Sequence, residues 1–281
     1  VIGSGISGVS IVVGTAATLA LGTISVEVWA PGGAVGGRGF PPAPMGDRMT
    51  SFSGHSNGPT SLADPTYDGT LNFVRIQFGG GGGFNGFGRE PSWAHDYPRA
   101  DRNFLEILNE LTLINPEPDG YRVLSMSDPE VFRYPMAYIV EVGRWAPKQD
   151  ELDGLEAYLK KGGFLIVDDF RGRDLNQIEA ILDYVLPDLV LMEVPDDHPI
   201  FDSFFRIDDP MSLIPPYGRE VPMFLGLFEE NDPNGRLLAM LNYNNDMAEY
   251  WEYSDQGYYP IDLANEAYKF GVNYVVYAMT R

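Results

Sequence analysis

The chain has 281 residues, 40 of them acidic and 19 basic, giving a net charge of −21, and it has no cysteine. A field of that sign repels phosphate backbones and sets nucleic acid aside as a partner, while a cationic protein or a divalent cation suits it. The missing thiol excludes disulfides, thiolate metal sites and a cysteine nucleophile, and the 44% hydrophobic and 13% aromatic content marks a folded chain.

Residues 1–26 carry no charged side chain. As a helix they would be about 39 Å long, more than the ~20 residues a bilayer core requires, so 1–29 are expected to form one transmembrane anchor. Ser4 and Gly8, Ser10 and Gly14, and Ala16 and Ala20 are spaced four apart, giving that helix a small-residue face for packing against another helix. Trp29 falls at the expected interface. The first residue is Val1, for which a processed start is expected. The flank holds Glu27 and no basic residue before Arg38, which favours a single pass through the bacterial inner membrane with the following domain in the periplasm. Gly3, Gly5 and Gly8 also spell the G-x-G-x-x-G of a flavin- or dinucleotide-binding turn. That motif needs a preceding strand and an acidic ribose ligand, and here only Val1 and Ile2 precede it, while Ala30 stands where the acid belongs.

Residues 30–70 are rich in Pro, Gly and Ser and read as an extended linker. Residues 71–281 then alternate strand and helix patterns. Leu71–Phe78 alternates apolar and polar like a half-buried strand, and the five-glycine run Gly79–Gly83 lacks the Lys-Ser or Lys-Thr of a phosphate loop. Asp101–Ile114 has a helical apolar face. Pro118-Asp119-Gly120 reads as a turn into a strand at Tyr121–Met126. A strand at Met136–Val140 and a helix from Lys148 closed by Gly162-Gly163 lead to Phe164–Val167, an unbroken apolar run of the type buried on both faces of a parallel sheet. A helix at Leu175–Leu186, strands at Leu189–Val194, Met223–Phe228 and Leu237–Asn242, and a closing helix from Ile261 complete the pattern. The expected fold is α/β, a three-layer sandwich around a mainly parallel sheet.

Several spaced segments carry a resemblance. They are Ser92-Trp93-Ala94-His95-Asp96-Tyr97-Pro98 with Ala100–Phe104, Gly162–Leu165 with Asp168-Asp169, Asp197–Phe201 with Ser203–Phe205, and Gly271–Ala278. Together they resemble the bacterial family known as domain of unknown function 4159, over about Leu71 to Arg281. The resemblance implies a flavodoxin-like or class I glutamine amidotransferase-like fold, often tethered to the bacterial envelope, and implies no established activity.

Ligands of parallel α/β sheets bind beyond the carboxyl ends of the strands. Asp168 and Asp169 stand at such an end, as a pair able to hold Mg²⁺ or Ca²⁺ or, alternatively, to cap a turn and pair with Arg171 or Arg173. His95 with Asp96, and His198 after Asp197, could each orient a base or ligate a metal. No G-x-S-x-G elbow or H-E-x-x-H motif is present, so no catalytic residue is assigned. Asn242–Asp246 offers oxygens without EF-hand spacing and reads as a turn. Tyr250, Trp251, Tyr258 and Tyr259 are candidates for an interface. The expected function is a noncatalytic accessory or scaffold subunit of a larger membrane complex, respiratory or photosynthetic for example. It would bind other subunits through its N-terminal helix and acidic periplasmic domain and hold no cofactor, or at most a divalent cation. The alternatives are a ligand- or cation-binding or hydrolase-like domain using the strand-end crevice, and a flavoprotein.

Overall fold

The computed structural model describes residues 70–79, 91–218 and 220–281. The expected anchor, all of the linker but Thr70, and most of the glycine run lie outside these residues, as do Ser4, Gly8, Ser10, Gly14, Ala16, Ala20 and Trp29. Among the described residues no helix is long and apolar enough to cross a membrane.

Seven strands form one sheet: β1 (Thr70–Ile76), β2 (Asn115–Leu124), β3 (Met136–Val140), β4 (Phe164–Phe170), β5 (Leu191–Glu193), β6 (Met223–Phe228) and β7 (Leu237–Tyr243). Their order is β2-β1-β3-β4-β7-β6-β5. The pairs from β2 to β7 are parallel, whereas β6 runs antiparallel to β7 and β5 antiparallel to β6. Five α-helices accompany them: α1 (Arg99–Leu111), α2 (Gln149–Lys160), α3 (Asp174–Val185), α4 (Met247–Glu252) and α5 (Ile261–Thr280). The fold is therefore mixed α/β.

Alternation along the strands splits the core into two layers. Phe73, Tyr138 and Ile166 pack with Phe104 of α1, Trp251 of α4 and Tyr274 of α5. Val74, Ile139, Leu165 and Val167 face the other way, onto Leu155 and Leu159 of α2 and Ile178 and Leu182 of α3. Every residue of β4 is buried, as a central parallel strand covered on both faces must be. The turn into it is set by Gly162, at φ +105°. Gly163 N–H donates to Tyr158 O and Gly162 N–H to Leu159 O, which caps α2 with a Schellman motif.

Three expectations change. β2 begins at Asn115 and absorbs the Pro118-Asp119-Gly120 segment read as a turn. It is the edge strand, where proline's missing N–H is tolerated, and its register to β1 slips between Leu71 and Phe73. At the other edge, βα alternation stops after α3. Residues 194–222 contain short 3-10 turns in place of a crossover helix, so β5 and β6 pair antiparallel. Finally, β1 is not half-exposed, because Arg75 is as buried as its apolar neighbours.

Candidate metal centre

Asp168 and Asp169 end β4 side by side and have opposite environments. Asp168 is fully buried and accepts from Tyr138 Oη at 2.6 Å, Asn242 Nδ2 at 3.1 Å, Met247 N at 2.8 Å and Ala248 N at 3.3 Å. The last two donors are the first backbone amides of α4, so Asp168 pins that helix to the sheet. Burial pushes its carboxyl up, and these donors pull it back toward the ionised form. Oδ2 takes three of these donors and Oδ1 one, and Asp168 is not among the residues whose ligand atoms cluster. Asp169 turns the other way through a left-handed backbone (φ 46°) and meets His95 Nδ1 with Oδ2 at 2.7 Å.

His95 and Asp96 reach the same place from the segment after β1. That segment is anchored by Arg75, whose guanidinium grips Asp101 of α1 at 2.7–3.1 Å and donates to the His95 carbonyl at 3.1 Å and the Trp93 carbonyl at 3.4 Å. The Arg75 guanidinium also lies 5.1 Å from the centre of the Tyr138 ring. A buried, fork-to-fork ion pair of this kind fixes geometry as well as charge. It holds the loop so that Asp96, also left-handed at φ 62°, points inward.

The fourth group is Asp246, which follows β7. Its Oδ1 caps α4 by accepting from Glu249 N at 3.0 Å, and its Oδ2 accepts from Tyr217 Oη. One lone pair on each oxygen remains. His95, Asp96, Asp169 and Asp246 thus present ligand atoms that all lie within 4.8 Å of one another, and the three carboxylates are buried. Asp96 is the exceptional member. Its side chain is 1% exposed, neither oxygen accepts a hydrogen bond from any described residue, and its nearest cation is His95 Nδ1 at 3.6 Å.

The electrostatics follow from that crowding. The Asp96 carboxylate, opposed by burial and aided by the Asp169 hydrogen bond, holds the His95 imidazole protonated, pushed up to about 12. Burial raises Asp96 well above the usual carboxylate range, with His95 lowering it and Glu249 and Asp169 raising it. Burial, then Asp169 and Asp96, raise Asp246 likewise. One imidazolium is too little positive charge for this set, and a buried carboxylate without donors costs several kcal/mol (order of magnitude) unless a cation meets it. Two strained non-glycine backbones at the same spot are a further cost of the kind found at functional sites.

Of the residues singled out from sequence, His95, Asp96 and Asp169 converge and Asp168 supports them from behind. His198 does not join them. It sits at the opposite end of the sheet, 5.5–5.6 Å from the rings of Phe228 and Tyr277, where Nδ1 accepts from Ile200 N at 3.2 Å to start a 3-10 turn. Tyr250 and Trp251 are not surface anchors: both are buried, Trp251 stacking on Phe104 at 4.5 Å. Tyr258 and Tyr259 are half-buried against each other, 4.9 Å apart, and Tyr259 Oη donates to Glu249 at 2.6 Å. Arg75, Asp101, Glu249 and Glu252 escaped sequence reasoning. Asp246 belongs to the oxygen-rich Asn242–Asp246 run that reads as a turn, and the structure brings its carboxylate into the cluster.

A family model described as Domain of unknown function (DUF4159) matches residues 72–279. The chain belongs to that family. The match takes in every residue of the candidate centre, from Arg75 to Glu252. No curated protein matches the chain.

Proposed function

We propose that the α/β domain binds a divalent metal ion through His95, Asp96, Asp169 and Asp246. The observation that carries this reading is Asp96, a carboxylate enclosed by protein, given no hydrogen-bond donor among the described residues, and clustered with three other ligand-type groups. The location supports it. The ligands lie at or beyond the carboxyl ends of β1, β4 and β7, and the parallel part of the sheet runs 2-1-3-4-7, beginning in the flavodoxin-like order whose switch point lies between β1 and β3. One imidazole among carboxylates favours Mn²⁺ or Zn²⁺ over the all-oxygen ions Mg²⁺ and Ca²⁺. Binding would displace the His95 proton, and Asp168 and Arg75 would act behind the ligands as positioning residues. Equilibrium dialysis of chelator-stripped protein against Mn²⁺ tests the site: Asp246→Asn should weaken binding on the order of tenfold or more. Unchanged retention by that variant would reject the assignment.

A second reading concerns the whole chain. Its first 26 residues, free of charge and lined with small side chains, support an accessory subunit anchored in a membrane complex with the acidic domain as its periplasmic face. On this reading the ion stiffens a docking domain and performs no turnover. Gentle detergent extraction should recover the chain with partner subunits; a monodisperse protein alone would contradict it.

A further inference from the structure

Both oxygens of Asp96 are buried and accept no hydrogen bond from any described residue, and an ion held through one of them leaves the other unmet. Asp96 also belongs to a second set: Asp96, Glu249 and Glu252 bring ligand atoms within 4.8 Å of one another. Both glutamates come from α4, three residues apart and so on one face of that helix. The Tyr259 hydroxyl takes Oε1 of Glu249, and no donor among the described residues takes its Oε2. The same helix is held in place by Asp168 and capped by Asp246, so it belongs rigidly to the first cluster.

Resting on the metal-binding reading above, we infer that the centre is binuclear, with Asp96 bridging two divalent ions. His95, Asp169 and Asp246 complete the first position, and Glu249 and Glu252 the second. The enclosed carboxylate, together with its place in both sets, decides between one ion and two. A monodentate terminal ligand would leave its second oxygen buried with no partner among the described residues, and chelation of one ion would use both oxygens but leave Glu249 and Glu252 without a cation, whereas a bridge uses both oxygens and serves both sets. Bridged pairs of this kind sit about 3.5–4 Å apart, a spacing a single carboxylate can span. The acidic excess fits as well: five carboxylates and one imidazole balance two divalent ions far better than one.

The test is Mn²⁺ stoichiometry with electron paramagnetic resonance on the chelator-stripped full chain in detergent. Wild type should take two Mn²⁺ per chain and give an exchange-coupled spectrum. Glu252→Gln, which changes a half-buried side chain and leaves the helix caps intact, should take one and give the six-line spectrum of an isolated ion. The Glu249→Gln, Glu252→Gln double variant should do the same, with circular dichroism matching wild type. One Mn²⁺ per wild-type chain, or two uncoupled ions, overturns the bridge and leaves the single-ion site standing. Two coupled ions in the double variant overturn the assignment of the second position. No Mn²⁺ at all overturns both this inference and the reading it rests on.

Discussion

The two ends of the sheet handle buried polar groups in opposite ways. At the amino end, His198 lies against Phe228 and Tyr277 and spends its ring nitrogen on a backbone amide, and Tyr277 Oη in turn accepts from Leu237 N at 3.1 Å. At the carboxyl end, three buried carboxylates crowd one imidazole, two of their backbones are left-handed, and Asp96 has no donor among the described residues. His198, which serves only the fold, finds its partner within the fold. Where the partners are missing and the strain is tolerated, the fold has been shaped for something else. Asp168 and Asp169 repeat the contrast over one peptide bond.

The largest effect is expected at the buried ion pair that holds the His95 loop. Asp101→Ala strands the Arg75 guanidinium in the core and should destabilise the protein by about 3–5 kcal/mol, read from urea unfolding. Mn²⁺ retention should fall with it, because the His95 loop loses its anchor. Next comes the adjacent pair. Asp168→Asn should cost about 1–3 kcal/mol, since an amide cannot accept from every donor the carboxylate satisfies. Asp169→Asn should change metal-free stability by less than about 1 kcal/mol, because it relieves repulsion as it loses the His95 bond. Equal losses would erase the distinction between pillar and ligand.

The smallest effect sharpens the amino end. Burial, with help from Arg281, lowers the His198 imidazole to about 4. Between about pH 6.5 and 4 the unfolded chain takes up a proton there that the folded protein does not, so His198 makes stability fall as pH drops through that window. Above pH 6.5 the effect is absent. His198→Asn keeps an acceptor for Ile200 N and removes the titration. At pH 7 its stability should stay within about 1 kcal/mol of wild type, and its acid loss should be shallower. An unchanged acid slope would show that other groups govern this range.

Much of the architecture was legible because periodicity reports burial. Phe164–Val167 announces a central strand, Gly162-Gly163 a helix stop, and Leu152, Leu155 and Leu159 the inward face of α2. The edges were less legible, since edge strands tolerate prolines and short lengths that in isolation look like turns and loops. At the site, the sequence placed chemistry at strand ends but not which chain segments meet there. His95 and Asp169 are 74 residues apart, and Asp246 lies 77 beyond Asp169. Nothing local separates His95 from His198, both beside an aspartate; only tertiary structure puts one in a crevice and the other under aromatic rings. Arg75 was hidden by its strand, because alternation marks a polar residue as outward-facing and does not foresee an ion pair with α1.

The central claim is that Asp96 is kept at a cost to the fold in order to meet a cation, and thermal unfolding of wild type and Asp96→Asn with and without Mn²⁺ tests it most directly. Without metal the variant should melt above wild type, because a buried carboxylate lacking donors has been neutralised. At Mn²⁺ about a hundredfold above the dissociation constant, wild type should gain about 2.7 kcal/mol for each ion bound while the variant gains little, so that the order reverses. A wild type that melts higher without metal, or one indifferent to Mn²⁺, would contradict the account.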